Sequence, residues 1–165
     1  MPVVPGPGTG SGNYLRHIMT IPVFVLNGPN LNMLGTRERG IYGNKSLADI
    51  ERDCLAAGGK LGLAVDFRQT NQEGVLVDWI QEAAGSAKGI IINPGAYSHT
   101  SLALPDAILA VDLPVIEVHI SNIFARESFR HHSYVSPVAA GIICGLGTGG
   151  YLLALEALKP LVAAA

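Results

Sequence analysis

Glu117 and His119 stand two residues apart in a run of Val and Ile. In an extended strand, residues i and i+2 share a face, so the carboxylate and the imidazole would lie side by side. A carboxylate placed there orients the ring and favours its charged form, which equips the pair for general-acid work. Glu117, His119, His99, His131 and His132 are also possible metal ligands. The sequence offers no H-x-x-x-H and no Cys/His pair at zinc spacing, so the acid reading is the more economical and no metal is expected. Arg126 and Arg130 follow four apart, and a helical turn after Asn122 would align them. The formal net charge of the chain is −2. Two cations at one edge therefore favour an anionic substrate, and a carboxylate suits Arg130 through bidentate pairing.

These residues need a frame to position them. Short runs rich in Val and Ile occur at 22–26, 63–67, 89–92, 114–118 and 141–144, mostly without alternation. That is the pattern of strands covered on both faces, as in a parallel sheet. The segments between them have helical period. Ser46 is placed to cap a helix carrying Leu47, Ile50 and Cys54 on one face, with Gly58 and Gly59 expected to end it. Val75, Leu76, Trp79, Ile80 and Ala83 form the stripe of a second helix. A third spans 102–110, with Pro105 expected in its first turn. A fourth spans 151–158, with Leu152, Leu155 and Leu158 on one side. Strand, helix, strand, repeated, predicts right-handed βαβ units and a doubly wound α/β sheet.

In such a sheet the polar segments fall at one edge. Asn27-Gly28-Pro29-Asn30 follows the first strand, 93–101 follows the third, and 117–122 ends the fourth. Ligands of open α/β sheets bind outside the carboxyl ends of the strands, so a small polar ligand is expected there. Gly145-Leu146-Gly147-Thr148-Gly149-Gly150 fits the dinucleotide pattern G-x-G-x-x-G. That pattern needs another strand with an acidic residue about 20 positions onward, and the sequence given stops at Ala165. A tight strand-to-helix turn is the expectation instead. No G-x-S-x-G elbow is present, and neither Cys54 nor Cys144 has the setting of a nucleophile.

The 165 residues suit one domain. Charged residues are 15% of the chain, against about 25% in a typical domain. This shortfall predicts that part of the surface is buried against further copies of the chain. Nothing in the charge balance calls for nucleic acid, and no apolar stretch is long enough for a membrane span. Residues 1–18 are rich in Pro, Gly and small polar residues and lack the apolar core of a secretory signal. They are expected to be a flexible extension to a single domain at 19–165. Two cysteines far apart in apolar segments are expected as buried free thiols, and the localisation as cytoplasmic.

Taken together, NGPNLNMLGTRERGIYG (27–43), NPGAYSHTSLALPDA (93–107), EVHISNIFARESFRHHS (117–133) and GLGTGGYLLAL (145–155) resemble, in order and spacing, the signatures of type II 3-dehydroquinases. The resemblance covers about residues 21–160. It implies a flavodoxin-like sheet of about five parallel strands in the order 2-1-3-4-5. It implies reversible anti elimination of water from 3-dehydroquinate to 3-dehydroshikimate through an enolate, in the shikimate or quinate pathway. No cofactor or imine is implied, and the assembly would be a homo-dodecamer, a tetramer of trimers. Carried over by motif, Tyr42 would be the base and Arg37 its activator. His119 would be the acid, with Glu117 behind it, and Asn30 would help a water stabilise the enolate. Asn93, His99, Ile120, Ser121 and Arg130 would hold the substrate, with Asp106 contributing across a subunit contact. Arg39 stands where the family usually has Pro, which removes a backbone constraint from the loop.

The chemistry is feasible in elementary terms. Tyrosine at pH 7 lies about three units below its free pKa, which costs roughly 4 kcal/mol. A cation about 4 Å away at an effective dielectric of about 20 returns about 4 kcal/mol, so one well-placed arginine suffices. The loop 34–43 carries Arg37 and Tyr42 between Gly35, Gly40 and Gly43 and is expected to act as a lid. A flavodoxin-like binding module would instead need a phosphate-cradling or flavin-stacking loop after the first strand, where this chain has Asn, Pro and Arg. A phosphate-ester hydrolase would need a metal or a nucleophile.

Overall fold

The computed structural model describes residues 20–36 and 44–164. Five strands form one sheet: β1 (Ile21–Asn27), β2 (Leu63–Gln69), β3 (Ile90–Asn93), β4 (Val115–His119) and β5 (Gly141–Cys144). Every pairing is parallel and the order is β2-β1-β3-β4-β5, the flavodoxin-like arrangement. Four α-helices cover it: α1 (Leu47–Leu61), α2 (Glu73–Ser86), α3 (Ala103–Val111) and α4 (Gly149–Ala163).

Side-chain alternation along the strands fills two cores. Val23 and Val25 of β1, Ile91 of β3, and Ile116 and Val118 of β4 pack with Ile50 and Cys54 of α1 and Leu155 and Leu158 of α4. Phe24, Leu26, Ile90, Ile92 and Val115 point the other way, to Leu76, Ile80 and Ala83 of α2 and Leu104 and Ile108 of α3. Each fully buried aliphatic side chain contributes roughly 1.5–3 kcal/mol. The same alternation sets the site. Glu117 and His119 share the α2/α3 face with Val115, whereas Asn27 and Asn93, partners in the β1–β3 register, share the α1/α4 face with Val25 and Ile91.

The differences from the sequence expectation have local causes. Four strands run on into polar residues, to Asn27, Gln69, Asn93 and His119, because backbone pairing outlasts the apolar run. Helix α1 starts at the expected Ser46 cap, where the Ser46 side chain accepts from Asp49 N–H (3.2 Å) and the Asp49 carboxylate accepts from Ser46 N–H (2.9 Å). It does not stop at Gly58-Gly59. Gly58 is a packing glycine, since a Cβ there would lie 2.5 Å from Val65 Cγ2. The helix ends at Leu61, with Gly62 taking φ +71°. Pro105 lies in the first turn of α3, as expected. Helix α4 is longer than expected and continues through Pro160 to carry the buried Val162. Cys54 is buried, but Cys144 is only half-buried, because β5 is an edge strand.

Candidate active site

A pocket that is partly open to solvent lies at the carboxyl edge of β1, β3 and β4, the edge where open α/β sheets bind ligands. Its walls include Asn30, Asn93, His99, His119, Ile120, Ser121, Arg126 and Arg130. Seven of the predicted residues therefore converge on one cavity. Glu117 lies directly behind His119. Asp106 does not line the cavity; it is exposed on the first turn of α3. Arg37 and Tyr42, with most of the predicted lid, lie outside the described residues, as do residues 1–18.

Glycines hold the loops of this edge together. A Cβ on Gly28 would meet Pro94 O at 2.4 Å, so only glycine lets the turn after β1 touch the turn after β3, where Gly28 N–H donates to Asn93 O at 2.8 Å. Two residues on, Asn30 takes φ +67°, a conformation asparagine tolerates better than most residues. Its N–H donates to Asn71 Oδ1 (2.9 Å). The glycines of 145–150 make the expected strand-to-helix turn, with φ +83° at Gly145 and +63° at Gly147. Their N–H groups donate to His119 O (3.2 Å) and Ile120 O (3.0 Å). Those two donors therefore support the end of β4.

The Glu117 side chain is fully buried. One oxygen accepts from His119 Nε2 at 2.7 Å and from Ser133 Oγ at 2.7 Å, and the other accepts from Ser136 Oγ. Burial alone would raise the carboxyl's pKa. The hydrogen bonds from His119, Ser136 and Ser133, together with the charge of the imidazole, outweigh it and hold the group below its ordinary value. Glu117 is thus an ionised acceptor that fixes the His119 ring. With Nε2 occupied, Nδ1 is the ring nitrogen left for the pocket.

The His99 ring stacks against that of His119, with centroids 6.3 Å apart. Its Nδ1 lies 2.7 Å from His132 O. A carbonyl only accepts, so Nδ1 carries hydrogen and Nε2 carries the lone pair of the neutral ring, 3.5 Å from Ser98 Oγ. Burial lowers the His99 pKa, and the charges of His119 and Arg130 act in the same direction, against the bond to His132 and the charge of Glu117. Arg126 and Arg130 are brought together, though not by the expected helical turn. Arg126 is extended (φ −109°, ψ −164°) between two 3-10 turns, Ile123–Ala125 and Ser128–Arg130. Glu127 lies between the two cations, 2.9 Å from Arg130 Nε and 3.6 Å from Arg126 Nε.

Sequence reasoning missed Ser133 and Ser136 as the supports of Glu117, and it gave Tyr151 no role beyond its place at the start of the fourth helix. Nothing distinguishes the two serines from ordinary turn serines in the chain. Tyr151 did carry a signal, because a tyrosine buried in an apolar helix must find a partner for its hydroxyl. Cys54 is no nucleophile: burial, with Asp53 and Glu51 nearby, pushes its thiol up to about 12. Among the described residues, no group of three or more His, Cys, Asp or Glu side chains is placed to hold a metal ion.

Fold and cavity define a flavodoxin-like α/β protein with a carboxylate–imidazole pair facing amide and guanidinium donors at the carboxyl edge of its sheet. Residues 21–159 match the model of the family "Dehydroquinase class II", and the chain belongs to that family. It is 65% identical over 141 residues to "3-dehydroquinate dehydratase 1" of Agrobacterium fabrum, an alignment covering 86% of this chain and 97% of the relative. It is 63% identical over 138 residues to "3-dehydroquinate dehydratase 2" of Pseudomonas aeruginosa, covering 84% and 93%. The type II dehydroquinase structure from Propionibacterium acnes superposes with a TM-score of 0.83 at 48% identity, over 86% of this chain and 98% of that one.

Proposed function

We infer that this chain is a type II 3-dehydroquinate dehydratase, removing water reversibly from 3-dehydroquinate to give 3-dehydroshikimate in the shikimate or quinate pathway. The observation that carries the reading is the buried Glu117–His119 pair, held at 2.7 Å and facing a cavity walled by Asn30, Asn93, His99 and Arg130. Elimination next to a ketone needs a base for the α proton, donors for the enolate oxygen and an acid for the departing hydroxyl. In this reading Tyr42, activated by Arg37, takes the C2 proton. A water held by Asn30 stabilises the enolate. The enolate then collapses with loss of the hydroxyl at C1, which leaves as water with the proton from His119 Nδ1. Neutral His119 keeps its Nε2 hydrogen bond to Glu117 throughout, and exchange with solvent returns the protons to their starting places.

Arg130, Ser121, Ile120, His99 and Asn93 hold the carboxylate and hydroxyls of the small anionic substrate. No lysine lines the cavity among the described residues, which fits a route without an imine. The assembly we propose is a dodecamer, a tetramer of trimers, with Asp106 reaching a neighbouring site. In support, Leu102, the cap residue before α3, and Leu109 of α3 are 63% and 65% exposed on either side of Asp106 in sequence, apolar surface suited to an interface. The free cysteines suit a cytoplasmic location. Mixing the protein with 3-dehydroquinate and following the enone absorbance of dehydroshikimate tests the reading. A folded protein that produces no absorbance refutes it.

A further inference from the structure

Below the cavity floor, a chain of hydrogen bonds runs across four elements and involves no titrating group in the reaction. Asn27 Nδ2 donates to Arg68 O of β2 at 3.0 Å. Tyr151, fully buried in the first turn of α4, donates its hydroxyl hydrogen to Asn27 Oδ1 at 2.7 Å. Asn93 Nδ2 donates to the Tyr151 oxygen at 2.8 Å, and Asn93 Oδ1 accepts from Gly95 N–H at 3.2 Å.

The direction of every bond in this chain is forced. Arg68 O only accepts, so the Asn27 amide must present nitrogen to it and oxygen to Tyr151. The phenol has one hydrogen, and Asn27 takes it, so toward Asn93 the phenol can only accept. Gly95 N–H only donates, which fixes the other end of the Asn93 amide in the same sense. A flipped Asn93 would set oxygen against the phenol lone pair and NH₂ against Gly95 N–H. The Asn93 amide nitrogen has two hydrogens, of which one is used. Asn93 lines the cavity beside His119.

We propose that Tyr151 is a positioning residue for the dehydratase reaction: through its hydroxyl it locks the Asn93 carboxamide so that the remaining N–H, and not the carbonyl oxygen, serves an acceptor oxygen of the substrate. The inference rests on the dehydratase reading. It makes the Asn93 position selective for oxygen acceptors, which is what a ligand built of carboxylate, ketone and hydroxyl oxygens offers. The arrangement persists across the working pH range, since burial holds the phenol above its usual range, with the Asn93 hydrogen bond opposing and Cys54 adding to the shift.

A double-mutant cycle tests the coupling. Tyr151→Phe keeps the ring, which packs 6.4 Å from that of Phe67, and removes only the hydroxyl. Asn27 is fully buried and absent from the cavity lining. Asn27→Ala removes the acceptor that forces the phenol to donate toward β1, so the hydroxyl can turn and the Asn93 amide can flip. Each variant should lower kcat/KM for 3-dehydroquinate roughly tenfold, the size of one neutral hydrogen bond. In an Asn93→Ala background the same two changes should alter kcat/KM less than twofold. All assays run below the melting transition of the least stable variant, and Asn27→Ala carries the test should Tyr151→Phe not fold. Equal losses with and without Asn93, or no loss in either single variant, would overturn the positioning role while leaving the dehydratase reading intact. A wild-type protein inert toward 3-dehydroquinate would overturn both.

Discussion

Replacing Glu117 with Gln is the sharpest probe of the acid assignment. The substitution conserves shape and keeps one acceptor oxygen, which can still receive His119 Nε2 and Ser133 Oγ. The new NH₂ faces Ser136 Oγ, whose hydrogen can rotate away so that the hydroxyl accepts. What is lost is the charge. At about 4 Å and an effective dielectric of about 20, a carboxylate attracts an imidazolium by about 4 kcal/mol. Without it, the imidazolium that gives up the pocket-facing proton has no counter-charge behind it, although a less firmly held proton is transferred more readily. If about half of the attraction survives that offset, about 2 kcal/mol remains, or roughly 30-fold in kcat. Turnover is followed by enone absorbance and folding by circular dichroism. A well-folded variant within about threefold of wild type would refute charge stabilisation by Glu117. Thermal melts add a second reading. The Glu117 carboxyl is held below its ordinary value in the fold, so its contribution to stability is complete above the unfolded-state value and is lost as pH falls through the folded one. The Gln variant should lack that acid-side loss.

Three further outcomes are expected. Tyr42→Phe should abolish most turnover while leaving the circular dichroism spectrum unchanged; near-normal turnover would remove tyrosinate as the base. His99 has a lowered pKa in the fold, chiefly through burial, so the unfolded chain binds its proton first. The melting temperature should therefore fall as pH drops below about 6.5, and His99→Gln should flatten that slope; an unchanged slope would dissociate the ring from acid sensitivity. Light scattering at micromolar concentration should report a dodecamer, and a monomer would exclude both the assembly and a cross-subunit role for Asp106.

How much of this was legible in the chain depended on which physical signal each residue carried. The strands announced themselves through unbroken Val and Ile runs, yet their last residues did not. Asn27, Asn93 and His119 are polar and still pair, because the backbone ladder is indifferent to the side chain it carries. Those terminal positions are where the site begins, so apolar patterning alone trims the functional residues from the elements that hold them. Gly58 misled for the opposite reason. Glycine ends helices and also lets a helix lie close on a strand, and only the 2.5 Å approach to Val65 separates the two uses.

The site divides along the same line. Glu117 and His119 could be paired from the chain because strand alternation converts a spacing of two into a shared face. Asn93 and His99 could be assigned to the same edge because topology sends the ends of all parallel strands one way. The supports could not be found by either rule. Ser133 and Ser136 reach Glu117 from a loop 16 and 19 residues later, and Tyr151 reaches Asn27 from 124 residues away. A residue that touches the ligand must stand at a strand end or on a loop that follows one, where the sequence has few places to put it. A residue that orients a neighbour needs only one correctly directed hydrogen bond, and any element packed on the sheet can supply that. The second kind becomes visible when each buried donor and acceptor is followed to its partner. Among the described residues no buried side-chain nitrogen or oxygen lacks one, and the path from Arg68 O to Gly95 N is the segment of that network in which every direction is forced.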